Sequence, residues 1–176
     1  MKRFVCHPLG ASILAAALVL TGCIVSGQFV VVIDWGGFVS THESLNSEHI
    51  DLTTNETWND HKDDIQNIVD VKFKVTIRNL ASTPASGEVY VSKTSYSTAP
   101  AVKASATRIL QGIVIPASST RTIGFDESAT YRENLDTLLD LVKDGQFYIY
   151  GIAGDPTFNI EIKTGSQLLV TFSAGK

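Results

Sequence analysis

The chain has 176 residues, of which 44% are hydrophobic and 18% are charged, and its formal net charge is −4 at pH 7. That length suits a single domain with a substantial hydrophobic core. The acidic balance shows neither the basic stripe that marks nucleic-acid-binding proteins nor a polybasic patch for anionic lipids. We therefore expect no nucleic acid among the partners of this chain.

The N-terminal residues have the organisation of a secretory signal. Lys2 and Arg3 precede an uncharged and mostly apolar run at residues 4–20. A short basic start followed by an apolar segment is typical of such signals. An uncleaved N-terminal anchor or an ordinary signal peptide would carry the same two features.

The apolar run ends in Leu20-Thr21-Gly22-Cys23, which resembles the lipobox of bacterial lipoproteins. The resemblance implies that residues 1–22 are a lipoprotein signal peptide and that Cys23 is lipidated. Each buried methylene of an acyl chain contributes about 0.8 kcal/mol, so several chains on one cysteine give stable anchoring in membrane lipid.

The same resemblance bears on location. In lipoproteins an aspartate after the cysteine favours retention in the inner membrane, and here that position is Ile24. The expected location in a Gram-negative host is therefore the outer membrane, facing the periplasm or the cell surface.

Removal of residues 1–22 takes away two basic residues, which lowers the net charge from −4 to −6. Cys6 leaves too, so no disulfide is expected within the mature chain.

Residues 23–27 are predicted to be a short lipidated tether, and residues 28–176 a single domain. Residues 28–33 predict a strand because four successive residues are β-branched. An acidic excursion follows at 35–67, with no clear period and one short strand near residues 50–53. A structureless loop of that length within a compact domain is uncommon and often functional.

The pattern becomes regular from Val69 onward. Apolar and polar residues alternate strictly through Ile77, which indicates a strand with one buried face. Residues 79–87 contain Ser, Thr, Pro and Gly and predict a turn. Further strands are predicted at 88–94, 108–115 and 121–126.

The period then changes to that of an amphipathic helix at about 131–143. Thr130 and Glu133 are spaced as a capping box, with Thr130 as the N-cap. Gly145 supplies a left-handed stop. The apolar stripe that indicates docking on a sheet consists of Tyr131, Leu135, Leu138, Leu139 and Val142.

The last part of the chain predicts three more strands. The first covers residues 146–153, and the other two, at 158–162 and 168–172, are predicted to form a hairpin through a loop that contains Gly165. Seven or eight short strands separated by turns predict a mainly β fold, an immunoglobulin- or fibronectin-III-like β-sandwich with one amphipathic helix.

The order of elements in the second half of the chain resembles the late-embryogenesis-abundant family of the water-stress and hypersensitive-response type. The features are a strand ending near Pro116, a short strand, a Leu-rich helix ending at Gly145, and the segment Phe147–Gly151. The resemblance implies a small β-sandwich with one helix, and a non-enzymatic envelope or stress-related protein. It departs from the family at residue 80, where Leu80 follows Asn79 in place of the usual proline.

All three histidines outside the signal segment, His42, His49 and His61, fall within the acidic excursion. Histidines and carboxylates together can bind zinc or another divalent cation. Their spacing matches no known zinc motif, and a solvated loop with scattered histidines explains the same pattern. Both interpretations remain open.

Other catalytic patterns are missing from the sequence. It contains no G-x-S-x-G elbow, no phosphate-binding glycine loop and no free cysteine once Cys23 is acylated. We therefore expect a non-enzymatic protein without a cofactor.

Trp35 and Trp58 are predicted to anchor the excursion on the core or to line a ligand surface. Tyr148 and Tyr150 share one strand face, which is a contact patch if it is exposed and core if a helix covers it.

Three functions follow in order of preference. The first is a binding or scaffold lipoprotein that presents its sandwich to another envelope protein. The second is a stress-protective lipoprotein of the late-embryogenesis type. The third is a divalent-metal site in the acidic excursion. Fold class alone does not choose among them.

Overall fold

Two antiparallel sheets pack against each other in this computed structural model, which describes residues 27–35, 37–41, 45–154 and 159–174. The predicted signal peptide at residues 1–22, the predicted lipidation site Cys23 and His42 lie outside these ranges. The mainly β sandwich predicted from the alternating pattern is confirmed. The described residues contain ten strands, not seven or eight. Their bounds are β1 Gly27–Trp35, β2 Phe38–Thr41, β3 Leu45–Asp51, β4 Ile65–Asn79, β5 Ala85–Ser92, β6 Thr107–Ile115, β7 Thr120–Ile123, β8 Gln146–Ala153, β9 Asn159–Ile162 and β10 Ser166–Ala174.

The first sheet is organised around β4, which is long enough to pair with three strands. Strand β10 pairs with its first part and β9 with its end, while β7 pairs along the opposite edge. The registers Gln167↔Lys74 and Ile162↔Ile77 show that β9 and β10 follow one another along β4. The predicted hairpin through Gly165 is therefore wrong. A fifteen-residue strand offers a continuous edge, and both strands use it.

The second sheet has the strand order β3-β8-β5-β6, with every neighbouring pair antiparallel. The inner faces of the two sheets form one core. This core includes Val71 and Phe73 from β4, Val170 and Phe172 from β10, and Phe147 from β8, all at most 1% exposed. Burial of one face in each strand explains why the sequence alternates in steps of two.

Four helices lie in the connections between strands in the described part of the chain: α1 Glu56–His61, α2 Ala99–Ser105, α3 Phe125–Ser128 and α4 Leu135–Asp144. None of the helices in these ranges is long and apolar enough to cross a membrane. Helix α4 is the predicted amphipathic helix, and it buries Leu138, Leu141 and Val142. Gly145 ends it in the left-handed region (φ 82°), as predicted.

The start of α4 differs from the prediction of a helix at about 131–143. Its N-cap is Asn134, in a left-handed conformation (φ 50°), and the helix begins at Leu135. The capping box fails because both of its members have other partners. Thr130 donates from its hydroxyl to the Glu127 carbonyl at 2.7 Å, and Glu133 accepts from Arg108 Nε at 3.0 Å.

The acidic excursion at 35–67 contains more regular structure than the sequence indicated. Strands β2 and β3, helix α1 and two short 3₁₀ turns all lie within it. Of the short strand predicted near 50–53, residues 50 and 51 end β3, whereas residues 52 and 53 belong to a 3₁₀ turn. Trp58 of α1 is 6% exposed and packs in the core cluster. The excursion is therefore anchored on the core through α1.

Candidate binding pocket

Small residues on the inner face of the second sheet leave space between the two sheets. Along β8, Phe147, Ile149 and Ala153 face the core cluster, so the alternation places Gly151 on the same face. Gly151 lies opposite Val89 of β5 and Asn46 of β3. A Cβ added to Gly151 would meet nothing within 4 Å. Glycine at this inner position therefore leaves a gap that a side chain would otherwise fill.

The gap is a cavity of about 110 Å³, with the two sheets as its walls. Partly exposed residues such as Ile77 and Val89 line it as well, so it reaches towards the surface of the described part. Its apolar lining includes Phe73, Val75, Ile77, Ala85, Val89, Leu110, Ile113, Ile115, Ile149, Ile152, Ile160 and Ile162.

Glu48 lies on the wall of this apolar pocket. It belongs to β3, an edge strand of the second sheet, where it pairs with the buried Ile149. Ile50, two residues further on, is 5% exposed and part of the core, so Glu48 faces inward as well. In the described ranges its carboxylate has no hydrogen-bond or ion-pair partner. Burial raises the pKa of Glu48 above its ordinary value because an apolar environment disfavours the charged form.

The structure does not bring the predicted metal ligands together where it describes them. His49 lies on the face of β3 opposite Glu48, exposed, with its ring centroid 4.8 Å from that of Tyr148. His61 is the last residue of α1, and His42 lies outside the described residues. Among the described residues, no three His, Cys, Asp or Glu side chains are grouped to hold a metal ion. The site of His42, His49 and His61 stays a prediction.

The aromatic residues considered as a contact surface are mostly core. Tyr150 is fully buried on the outer face of the second sheet, in a cluster with Val102 of α2. Its hydroxyl donates to the Thr94 carbonyl at 2.9 Å and accepts from the Tyr96 N–H at 2.9 Å. Tyr148 is half-buried beside it. Helix α2 therefore covers this face, although the sequence had not predicted that helix.

Several other carboxylates in the described ranges are held in ion pairs. Arg108 binds Glu88 at 2.8 Å and Glu133 at 3.0 Å, which ties β6 to β5 and to the segment before α4. Arg132 binds Asp70 at 2.6 Å and joins that segment to β4. These pairs link elements of the fold, whereas the inward-facing Glu48 has no such partner in the described ranges.

Sequence reasoning missed the residues that make the pocket, chiefly Glu48 and Gly151. In β3 the inward positions are Asn46, Glu48 and Ile50, so only one of three is apolar. No alternation marks such a strand. Gly151 carries a weak indication, because a glycine inside a strand often marks a place where something approaches closely.

Comparisons with known proteins add little to this description. No protein-family model matches the sequence, and no curated protein matches it. A solved structure described as Desmodium yellow mottle tymovirus aligns with 100% of this chain and 96% of its own, at 11% identity and a TM-score of 0.37. A similarity at that level carries no argument about fold or function.

Proposed function

We propose that this chain is a membrane-anchored envelope lipoprotein whose sandwich acts as a non-enzymatic binding module. The apolar pocket between the sheets is the observation that carries the binding role. It is an open apolar space with one inward carboxylate, and ligand sites are commonly concave, mostly apolar and equipped with few polar groups. The lipobox at residues 20–23 supports the anchor.

The position of the pocket suits an anchored protein. Gly27 pairs with Ala174, which pairs with Ile65 at the start of β4. Gly27 follows Cys23 by four positions, and four residues reach at most about 14 Å. Val75, in the pocket wall, lies ten positions beyond Ile65, which is about 33 Å along a strand. The pocket therefore lies towards the end of β4 that is away from the point where a tether to Cys23 would attach.

Metabolic labelling tests the anchor. The full-length chain is expressed in a Gram-negative host with radioactive palmitate, beside Cys23→Ala and the matched control Cys6→Ala. The expected result is label and membrane association for the wild type and the control, and neither for Cys23→Ala. Equal labelling of Cys23→Ala would remove the lipoprotein assignment.

A cavity-filling variant tests the pocket. Hexan-1-ol is titrated by NMR into the protein purified in a non-ionic detergent. Gly151→Leu places a side chain in the gap, so it is expected to lose binding without a loss in the free energy of unfolding. Gly124→Leu adds the same side chain where a Cβ also meets nothing within 4 Å, outside the pocket. Binding that survives Gly151→Leu unchanged would exclude this pocket as the site.

A further inference from the structure

The pocket combines two properties that bear on the chemistry of its ligand. Its lining is mostly apolar, with Asn46, Ser47, Ser86 and the ion-paired Glu88 at its border. The Glu48 carboxylate faces into it from β3 and has no partner in the described ranges. Glu48 is half-buried, and partial burial of an ionised group without a partner carries a cost. A ligand that brings a positive charge or a strong donor to Glu48 would remove that cost.

We propose that the pocket binds a small amphiphilic amine, with its apolar body between the two sheets and its ammonium group at the Glu48 carboxylate. The inference rests on the proposed function, since it names the ligand class of the same pocket. An ammonium–carboxylate contact is a charge-assisted hydrogen bond, which is roughly twice as strong as a neutral one. A ligand with a carboxylate head would instead meet a like charge at Glu48.

The volume of the pocket limits the size of the apolar body. An engineered apolar cavity of about 150 Å³ accepts benzene, and this pocket has about 110 Å³. The body is therefore a short alkyl chain or a single small ring. A long fatty acyl chain would extend beyond this volume, out of the open side of the pocket.

The inward charge could also have a role that needs no ligand. A charged residue that points inward from an edge strand discourages pairing with the edge of another molecule. Glu48 lies on such a strand. A role in preventing edge-to-edge pairing predicts no preference between an amine and a carboxylate ligand. A measured preference for the amine would therefore favour the ligand-binding role of Glu48.

The experiment compares three six-carbon probes with different head groups. Hexylamine, hexan-1-ol and hexanoate are titrated at pH 7 by calorimetry into the protein purified in a non-ionic detergent. We expect hexylamine to bind at least about ten-fold more tightly than hexanoate, which is about 1.4 kcal/mol. Glu48→Gln should reduce the affinity for hexylamine about ten-fold and leave that for hexan-1-ol unchanged. Asp140→Asn, which removes an exposed carboxylate from α4, should change neither.

The outcomes separate this inference from the proposed function. If hexylamine and hexanoate bind equally and Gly151→Leu abolishes both, the pocket stands and the amine preference is overturned. If Glu48→Gln leaves the preference for hexylamine intact, Glu48 is not its partner and the inference fails. If none of the three probes binds the wild-type protein, the pocket fails as a ligand site and both proposals fall.

Discussion

The side-chain amide nitrogen of Asn79 lies 3.2 Å from the carbonyl oxygen of Ile115, which joins the end of β4 to the end of β6 in the other sheet. Asn79 is 1% exposed. Its amide also lies 2.8 Å from the Thr83 carbonyl oxygen, and its side-chain oxygen accepts the Ala81 N–H at 2.9 Å. The buried Asn79 side chain thus supplies hydrogen bonds to backbone groups at the point where the chain leaves the first sheet.

Replacement of Asn79 should therefore destabilise the fold at the point where the sheets meet. Asn79→Ala leaves buried carbonyl and N–H groups without partners, and we expect a loss of about 2–3 kcal/mol in the free energy of unfolding. Urea unfolding measures it. Asn67→Ala, an exposed position on the same strand, should stay within about 0.5 kcal/mol. Equal losses for the two variants would contradict this role.

Gly145 should be the least replaceable glycine among those in the described ranges. It has a φ of 82°, and an added Cβ would lie 2.8 Å from the ring of Trp58. An L-residue in the left-handed region costs about 1–2 kcal/mol, and displacement of a packed ring costs a further 1–3 kcal/mol or so. We expect Gly145→Ala to lose about 3 kcal/mol in urea unfolding.

Gly112 provides the matched control for that variant. It has nearly the same φ, 79°, and an added Cβ would meet nothing within 4 Å. Gly112→Ala should therefore show the conformational cost alone, about 1–2 kcal/mol. The difference in the free energy of unfolding between the two variants measures the cost of the contact with Trp58. A difference near zero would show that α1 shifts to accommodate the added methyl group at no cost.

The Tyr150 hydroxyl should hold residues 94–96 on the second sheet. Tyr150→Phe removes its bonds to the Thr94 carbonyl and the Tyr96 N–H, with an expected loss of about 1–2 kcal/mol. Hydrogen exchange of the Tyr96 amide should become faster. Tyr148→Phe serves as the control, because Tyr148 makes no hydrogen bond from its hydroxyl in the described ranges. Unchanged exchange at Tyr96 would show that its amide is protected by something else.

The sequence predicted those parts of the fold in which the burial of one strand or helix face produces a periodic pattern of apolar residues. Residues 28–33, 69–77 and 146–153 alternate or are rich in β-branched residues, and all three are strands. Gly145 was also predicted correctly as a helix stop, because a left-handed C-cap favours glycine for steric reasons alone.

The structural predictions that failed concern residues whose conformation depends on partners distant in sequence. The strand at β3 has two polar inward residues, Asn46 and Glu48, because it borders a pocket and not a filled core. Nothing local distinguishes Glu133 as a capping residue from Glu133 as the partner of Arg108. Strands β9 and β10 both pair with β4 because β4 is long enough for the two of them. The sequence of the turn between β9 and β10 carries no information about that length.

The stability of the fold should depend on pH through Glu48. Burial raises its pKa in the folded state above the ordinary value of 4.5. The protonated form is therefore favoured by folding, and the stability it contributes is present below pH 4.5 and is lost as the pH rises through the raised pKa. At pH 7 the ionised carboxylate works against the folded state.

Glu48→Gln should consequently raise the free energy of unfolding at pH 7 and give no such gain at pH 4 or below. Glutamine matches the protonated acid in shape and cannot ionise, so the gain should grow as the pH rises between these limits. Urea unfolding over this range measures it, with Asp140→Asn as a surface control expected to stay within about 0.5 kcal/mol throughout. A gain of equal size at pH 4 and pH 7 would show that the charge of Glu48 is not its cause. Saturating hexylamine should remove the gain at pH 7, because a bound ammonium favours the carboxylate that glutamine lacks.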